Sequence, residues 1–205
     1  MPPECLFVTG MPVAAKFKAE MTRGDAREAL GLPADKKIYL IMTGGIGCGD
    51  AISLCDAIRR VPDENSLLCV LPGRNEELRT ALEARYAGHG VMAVPFTDKV
   101  AVYMHACDVL LSKAGGISSS EAAVLGVPLV HTMAIPGVET LNAQFFADHG
   151  MSYFAQNVDE AARFADRLIY DCAARERMLA AQCTCLAKDG AERIAERIEA
   201  ENADA

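Results

Sequence analysis

Short apolar runs alternate with segments of helical spacing along most of the chain. The runs Cys5–Val8, Ile38–Thr43, Ser66–Leu71, Val91–Val94, Asp108–Leu111 and Pro128–Val130 read as strands, with a weaker one at Tyr153–Phe154. Several are apolar throughout rather than alternating, which predicts strands buried on both faces. Between them, Asp50–Arg60, Asn75–Tyr86, Asp98–Ala106, Ser118–Leu125 and Glu139–His149 have helical spacing, with Asp50, Asn75, Asp98 and Ser118 as N-terminal caps. From Val158 onward the pattern is helical only, ending in an acidic Glu-Asn-Ala-Asp-Ala stretch expected to fray. Strands alternating with helices predict an α/β fold: one doubly wound parallel-sheet domain over residues 1–205 with a helical C-terminal tail.

Composition narrows the function. A chain of 205 residues, 51% hydrophobic and 23% charged, suffices for one well-buried domain and is short for two. The net charge of −8 argues against broad binding to nucleic acid or to anionic membrane. The imbalance is uneven: residues 1–100 carry 12 basic and 13 acidic side chains, residues 101–205 carry 8 and 15. No Lys or Arg occurs from Ala114 to Ala162, so an anion held there would rely on backbone N–H groups. The longest uncharged run, Ala122 to Val138, is shorter than the ~20 residues of a membrane span and contains Gly126, Pro128 and Pro136. The first residues lack the basic and apolar regions of a secretion signal, so a cytoplasmic location is expected. With no Cys-x-x-Cys pair, the eight cysteines read as reduced structural thiols, and no metal site is expected.

In an open parallel sheet the ligand crevice lies beyond the carboxyl ends of the strands. Two strand-to-helix loops there are unusual. Thr43-Gly44-Gly45-Ile46-Gly47-Cys48-Gly49-Asp50 lets a ligand approach the backbone just before a helix, yet matches neither the Walker A loop nor a full dinucleotide fingerprint. A ligand-free glycine turn is the plainer alternative. Ser112-Lys113-Ala114-Gly115-Gly116-Ile117-Ser118-Ser119-Ser120-Glu121 turns closely at its glycines and opens a helix whose first N–H groups form an anion cradle. Glu121 in the first turn either complements the helix dipole or accepts two hydroxyls, as from a ribose.

These loops resemble the C-terminal half of family 28 GT-B glycosyltransferases, the group of monogalactosyl- and glucosyl-diacylglycerol synthases and the lipid II-forming GlcNAc transferase. The resemblance also rests on Gly10-Met11-Pro12-Val13, Leu71-Pro72-Gly73-Arg74-Asn75, Pro95-Phe96-Thr97, Ala106-Cys107-Asp108, Gly126-Val127-Pro128 and Ile135-Pro136-Gly137-Val138-Glu139-Thr140-Leu141-Asn142. It implies a Rossmann-like domain forming one half of a GT-B fold. It implies a nucleotide-diphosphate sugar, UDP-linked, as donor substrate, with no further cofactor. Carried over by residue, Phe96 would sit at the base, Gly115, Gly116, Ile117, Ser118 and Ser119 along the diphosphate, and Glu121 at the ribose. Glu139 would meet the sugar hydroxyls, and Gly44, Gly45 and Gly47 would admit the α-phosphate. For Phe96 and Glu139 the alternatives are a core aromatic and an ordinary first-turn carboxylate.

Relatives usually carry Arg where this chain has Ala14 and Gln where it has Val138; Ala and Val supply neither a phosphate fork nor a donor–acceptor pair. Lys16 or Lys113 is a candidate for the missing charge. In this family an N-terminal domain supplies the acceptor site, the membrane-facing surface and the general base. That half is expected to come from a missing domain or a membrane-associated partner subunit, with membrane contact only indirect. None of His89, His105, His131 and His149 matches the base position, so no catalytic residue is assigned. The expected activity is hexosyl transfer to a lipid-type acceptor once the acceptor half is joined, the isolated chain being inactive. The alternatives are a non-catalytic nucleotide-sugar-binding module, a subunit of a split enzyme, or a nucleotide-sugar epimerase of the same fold.

Overall fold

Six parallel strands carry the fold, each followed by at least one helix. The computed structural model describes residues 6–44, 50–60, 64–133 and 137–203. The strands are β1 (Lys37–Met42), β2 (Ser66–Leu71), β3 (Val91–Ala93), β4 (Val109–Lys113), β5 (Leu129–Met133) and β6 (Tyr153–Phe154). The helices are α1 (Arg23–Leu30), α2 (Ala51–Ile58), α3 (Glu76–Tyr86), α4 (Val100–Ala106), α5 (Gly116–Leu125), α6 (Val138–Asp148), α7 (Val158–Tyr170), α8 (Cys172–Cys185) and α9 (Gly190–Ala203). The sheet runs β3-β2-β1-β4-β5-β6, with all pairs parallel, so the strand order reverses between β1 and β4. This is the doubly wound architecture that the alternating pattern predicts.

Continuous apolar strands follow from burial on both faces. In β1, Ile38 and Leu40 join one hydrophobic cluster with Ala26 of α1, Met104 of α4 and Ala122 of α5. Tyr39 and Ile41 point the other way, into a cluster with Leu54 of α2, Leu82 of α3 and Leu168 of α7. The alternation of side chains along a strand divides the two sets. Helix α7 buries Ala161, Ala162, Ala165, Leu168 and Ile169, one stripe at helical spacing.

Asp50 and Asn75 cap α2 and α3 by accepting the Ser53 and Leu78 N–H groups, each at 2.9 Å. The other two predicted caps are corrected. Helix α4 starts at Val100 after Lys99, and the Thr97 hydroxyl accepts the Lys99 N–H at 3.1 Å, leaving Asp98 outside the cap. Helix α5 starts two residues before the predicted position, with Gly115 at its N-cap and Ser118 inside the first turn. Leu6, Phe7 and Val8 form no strand and are exposed; Cys5 lies outside the described residues. Of the acidic end, Glu201, Asn202 and Ala203 belong to α9, and Asp204 and Ala205 lie outside the described residues.

Helix α9 returns to the beginning of the chain. Lys18 Nζ bonds Glu192 at 2.8 Å, and the Arg197 guanidinium lies 3.7 Å from the Phe7 ring centroid. A Cβ on Gly190 would stand 2.9 Å from the Met11 carbonyl oxygen, so this approach requires glycine. Helix α1, which the apolar pattern does not predict, is tied down at Asp108. That buried carboxylate accepts Arg23 Nη1 and Arg27 Nη2, each at 2.9 Å, and the Ile38 N–H at 2.7 Å.

Candidate donor-binding cleft

The reversal of strand order leaves a crevice above the carboxyl ends of β1 and β4. A cleft of about 650 Å³ occupies it. Its walls include Gly44 after β1, Phe96 after β3, Lys113, Gly115, Gly116, Ile117 and Ser118 around the end of β4, and Glu121 of α5. Three segments far apart in the sequence thus meet at one crevice because the topology puts every strand-to-helix loop on the same edge of the sheet.

One wall is the start of α5. Gly115, at φ −71° and ψ 130°, holds the N-cap without a side-chain cap, and the first helical bond runs from Ser119 N–H to Gly115 O at 3.0 Å. The N–H groups of Gly116, Ile117 and Ser118 precede it, at the positive end of the helix dipole. A Cβ on Gly116 would stand 3.3 Å from Met11 Cε and 3.4 Å from Asn142 Nδ2. Asn142 donates to Ala114 O at 3.2 Å, which fixes the loop.

The named residues divide by position. Glu121 faces the cleft half-buried, and burial raises its carboxyl above the usual range against the opposing charge of Lys16. Phe96 is 57% exposed with Arg74 4.9 Å over its ring, which excludes the core-aromatic alternative. Ser119, in contrast, is buried, and its hydroxyl meets His131 Nε2 at 2.9 Å on the far side of α5's first turn. Glu139 is not on the cleft wall; its Oε1 takes the Lys113 ammonium at 2.6 Å. Gly45 and Gly47 lie outside the described residues. Ala14 and Lys16 both line the cleft, whereas Val138 is exposed on α6.

Lys113, a sequence candidate for the missing charge, ends β4 on the cleft wall. The register against β5 slips there, with Ser112 paired to His131 and Lys113 to Met133. Arg74 stacks on Phe96 from a neighbouring loop, a pairing with no signal beyond the two residue types. Among the described residues no histidine lines the cleft. His131 is fully buried on β5, between the Ser119 hydroxyl and the Ser152 hydroxyl at 3.1 Å, and burial lowers its pKa to about 4. It is a neutral packing residue. No group of His, Cys, Asp or Glu among the described residues is arranged to hold a metal ion.

Comparison with known proteins decides the family. Residues 57–198 match the model of the glycosyltransferase family 28 C-terminal domain. The chain belongs to this family. Among its relatives is a processive diacylglycerol beta-glucosyltransferase of Bacillus licheniformis, 30% identical over 173 residues, covering 82% of this chain and 44% of that protein. Another is a probable monogalactosyldiacylglycerol synthase 2 of Oryza sativa subsp. indica, 31% identical over 168 residues, covering 78% of this chain and 36% of that one. The chain therefore spans less than half the length of these relatives. The crystal structure of Acinetobacter baumannii MurG superposes with a TM-score of 0.63 at 21% identity, covering 89% of this chain and 54% of that one. A putative UDP-N-acetylglucosamine 2-epimerase from Listeria monocytogenes superposes at 0.71 with 17% identity, covering the whole of this chain and 56% of that one. At such identities these two establish the fold alone: a single α/β domain corresponding to one half of a GT-B structure. No helix among the described residues is long and apolar enough to cross a membrane.

Proposed function

We propose that this family 28 domain binds a UDP-linked hexose in the cleft and acts as the donor half of a transferase with a lipid-type acceptor. The observation that carries the reading is the convergence of the α5 N–H groups, Glu121, Phe96 and Gly44 around one crevice. The α5 N-terminus suits a diphosphate, the half-buried Glu121 suits a pair of ribose hydroxyls, and the exposed Phe96 face suits a base. The relatives named as diacylglycerol glycosyltransferases support a glycolipid product. Transfer requires base, acceptor and donor held together. On this reading the acceptor half comes from a further domain or a partner subunit, and this chain alone binds donor without turning it over.

Calorimetric titration with UDP, UDP-glucose, UDP-galactose and UDP-GlcNAc tests this. Binding of UDP is expected, and Glu121→Ala should weaken it about tenfold or more through lost hydroxyl contacts. The raised carboxyl pKa of Glu121 means the unfolded chain releases that proton more readily, so this residue opposes folding at neutral pH. The variant should therefore be no less stable than the parent at pH 7, separating lost binding from lost fold. Absence of heat with every nucleotide up to millimolar concentration would refute the donor reading. A second reading, a nucleotide-sugar-binding module without transferase activity, is favoured by Ala14 on the cleft wall and by Val138, where relatives carry Arg and Gln. No transfer after reconstitution with an acceptor half would select it.

A further inference from the structure

The Lys113 side chain of the Lys113–Glu139 pair lies beside Gly44, after β1, and near Gly115, at the start of α5, both on the cleft wall. The Lys113 side chain fills the space beside Gly44: a Cβ on Gly44, whose φ is +78°, would stand 2.8 Å from Lys113 Cε and 3.8 Å from its Nζ. The same Cε lies 3.9 Å from the Cβ position of Gly115, the N-cap of α5. The lysine thus occupies the space next to Gly44 and close to the N-cap of α5. The register against β5 shifts between Ser112 and Lys113, and the ammonium reaches the first turn of α6. There it meets Glu139 at 2.6 Å, with the two side chains 22% and 15% exposed. After Lys113 the chain has no further Lys or Arg until Arg163, so Lys113 is the cation that the segment from β4 to α6 brings to the cleft, which Lys16 also lines.

We propose that Lys113 and Glu139 form a donor-operated latch. In the ligand-free chain the ammonium is held by Glu139. A diphosphate settling at the α5 N-terminus draws the ammonium to its own oxygens, and the Glu139 carboxylate, no longer bonded to that ammonium, accepts hydroxyls of the attached sugar. This rests on the donor-binding reading and adds to it the order of events: phosphate capture exposes the sugar acceptor. Lysine suits the task, because a compact ammonium on a flexible stem can exchange one oxyanion for another with little movement. The latch also places the missing charge. Ala14 offers none, and Lys113 supplies it only when its partner releases it.

The test is a double-mutant cycle on the 205-residue chain, read by calorimetry with uridine, UMP, UDP and UDP-glucose. Lys113→Met should weaken UDP about tenfold or more while leaving uridine unchanged, a contrast that a loss of fold would not produce. Glu139→Gln should tighten UDP several-fold by releasing the ammonium, and should lower the ratio of UDP-glucose to UDP affinity. In the double variant the Glu139→Gln gain should vanish, because there is no ammonium left to release. Equal UDP affinity of Lys113→Met and parent, or a Glu139→Gln gain that persists in the Lys113→Met background, would overturn the latch while leaving donor binding intact. Failure of the parent chain to bind UDP at all would overturn both.

Discussion

At Asp108 one carboxylate accepts from Arg23, Arg27 and the Ile38 amide, joining α1 to β1 and the start of β4. Arg27 is itself buried and spends its remaining donors on Ala106 O and Ala34 O. Removing one member of such a network leaves charge buried without its partner, which typically costs about 3–5 kcal/mol. Asp108→Asn is expected to lose that much in urea unfolding, while nucleotide affinity per folded molecule stays unchanged. His131 has the opposite character, a polar residue held neutral. Its pKa of about 4 in the fold lies below the ordinary 6.5. Between these values the unfolded chain binds the proton and the folded chain does not, so stability falls as pH falls from about 6.5 to about 4. The loss from this one site is about 3 kcal/mol in total. His131→Gln should flatten the pH dependence of the urea midpoint over that window; an unchanged slope would mean the ring is not the group responsible. The sequence shows both residue types but not these environments, because neither local pattern records what packs against a side chain from elsewhere in the chain.

Among the elements, the strands and the helices α2 to α6 were legible because continuous apolar runs and capped helical spacing are local signals. Asp50 and Asn75 accept N–H groups three residues on, as their position predicts. Two elements escaped for opposite reasons. Helix α1 is largely polar and buries only Ala26 and Arg27, so its stripe is too thin to register. Its start is set by Thr22, whose hydroxyl oxygen accepts the Asp25 N–H at 3.1 Å. Thr22→Ala should cost about 1 kcal/mol, measurable as a shift in the denaturation midpoint. The apolar run ending at Val8 has strand composition but no strand beside it, and its Phe7 leans on Arg197 of α9 instead. Composition alone cannot distinguish a strand from an extended segment lying against a helix. The α5 start was misplaced because Ser118 is a good cap by type, whereas the chain turns into the helix at Gly115.

For the molecule as a whole, the doubly wound order turns scattered motifs into one cleft. The sequence could place Gly44, Phe96, Gly115 to Ser118 and Glu121 at loop positions; the strand reversal between β1 and β4 brings them together. The same topology sends Ser119 inward to His131 and sets Glu139 against Lys113, two placements that depend on which side of a helix faces the sheet. The acidic second half of the chain also gains a meaning. Its stretch without Lys or Arg begins at the cleft wall, so on the proposed reading backbone N–H groups and Lys113 share the diphosphate. The most direct test of that reading is an amide-resolved NMR titration of the chain with UDP. The account predicts saturable shifts at the Gly116, Ile117 and Ser118 amides together with Phe96 and Glu121. Saturable shifts confined to another face of the sheet, or none at millimolar UDP, would contradict it.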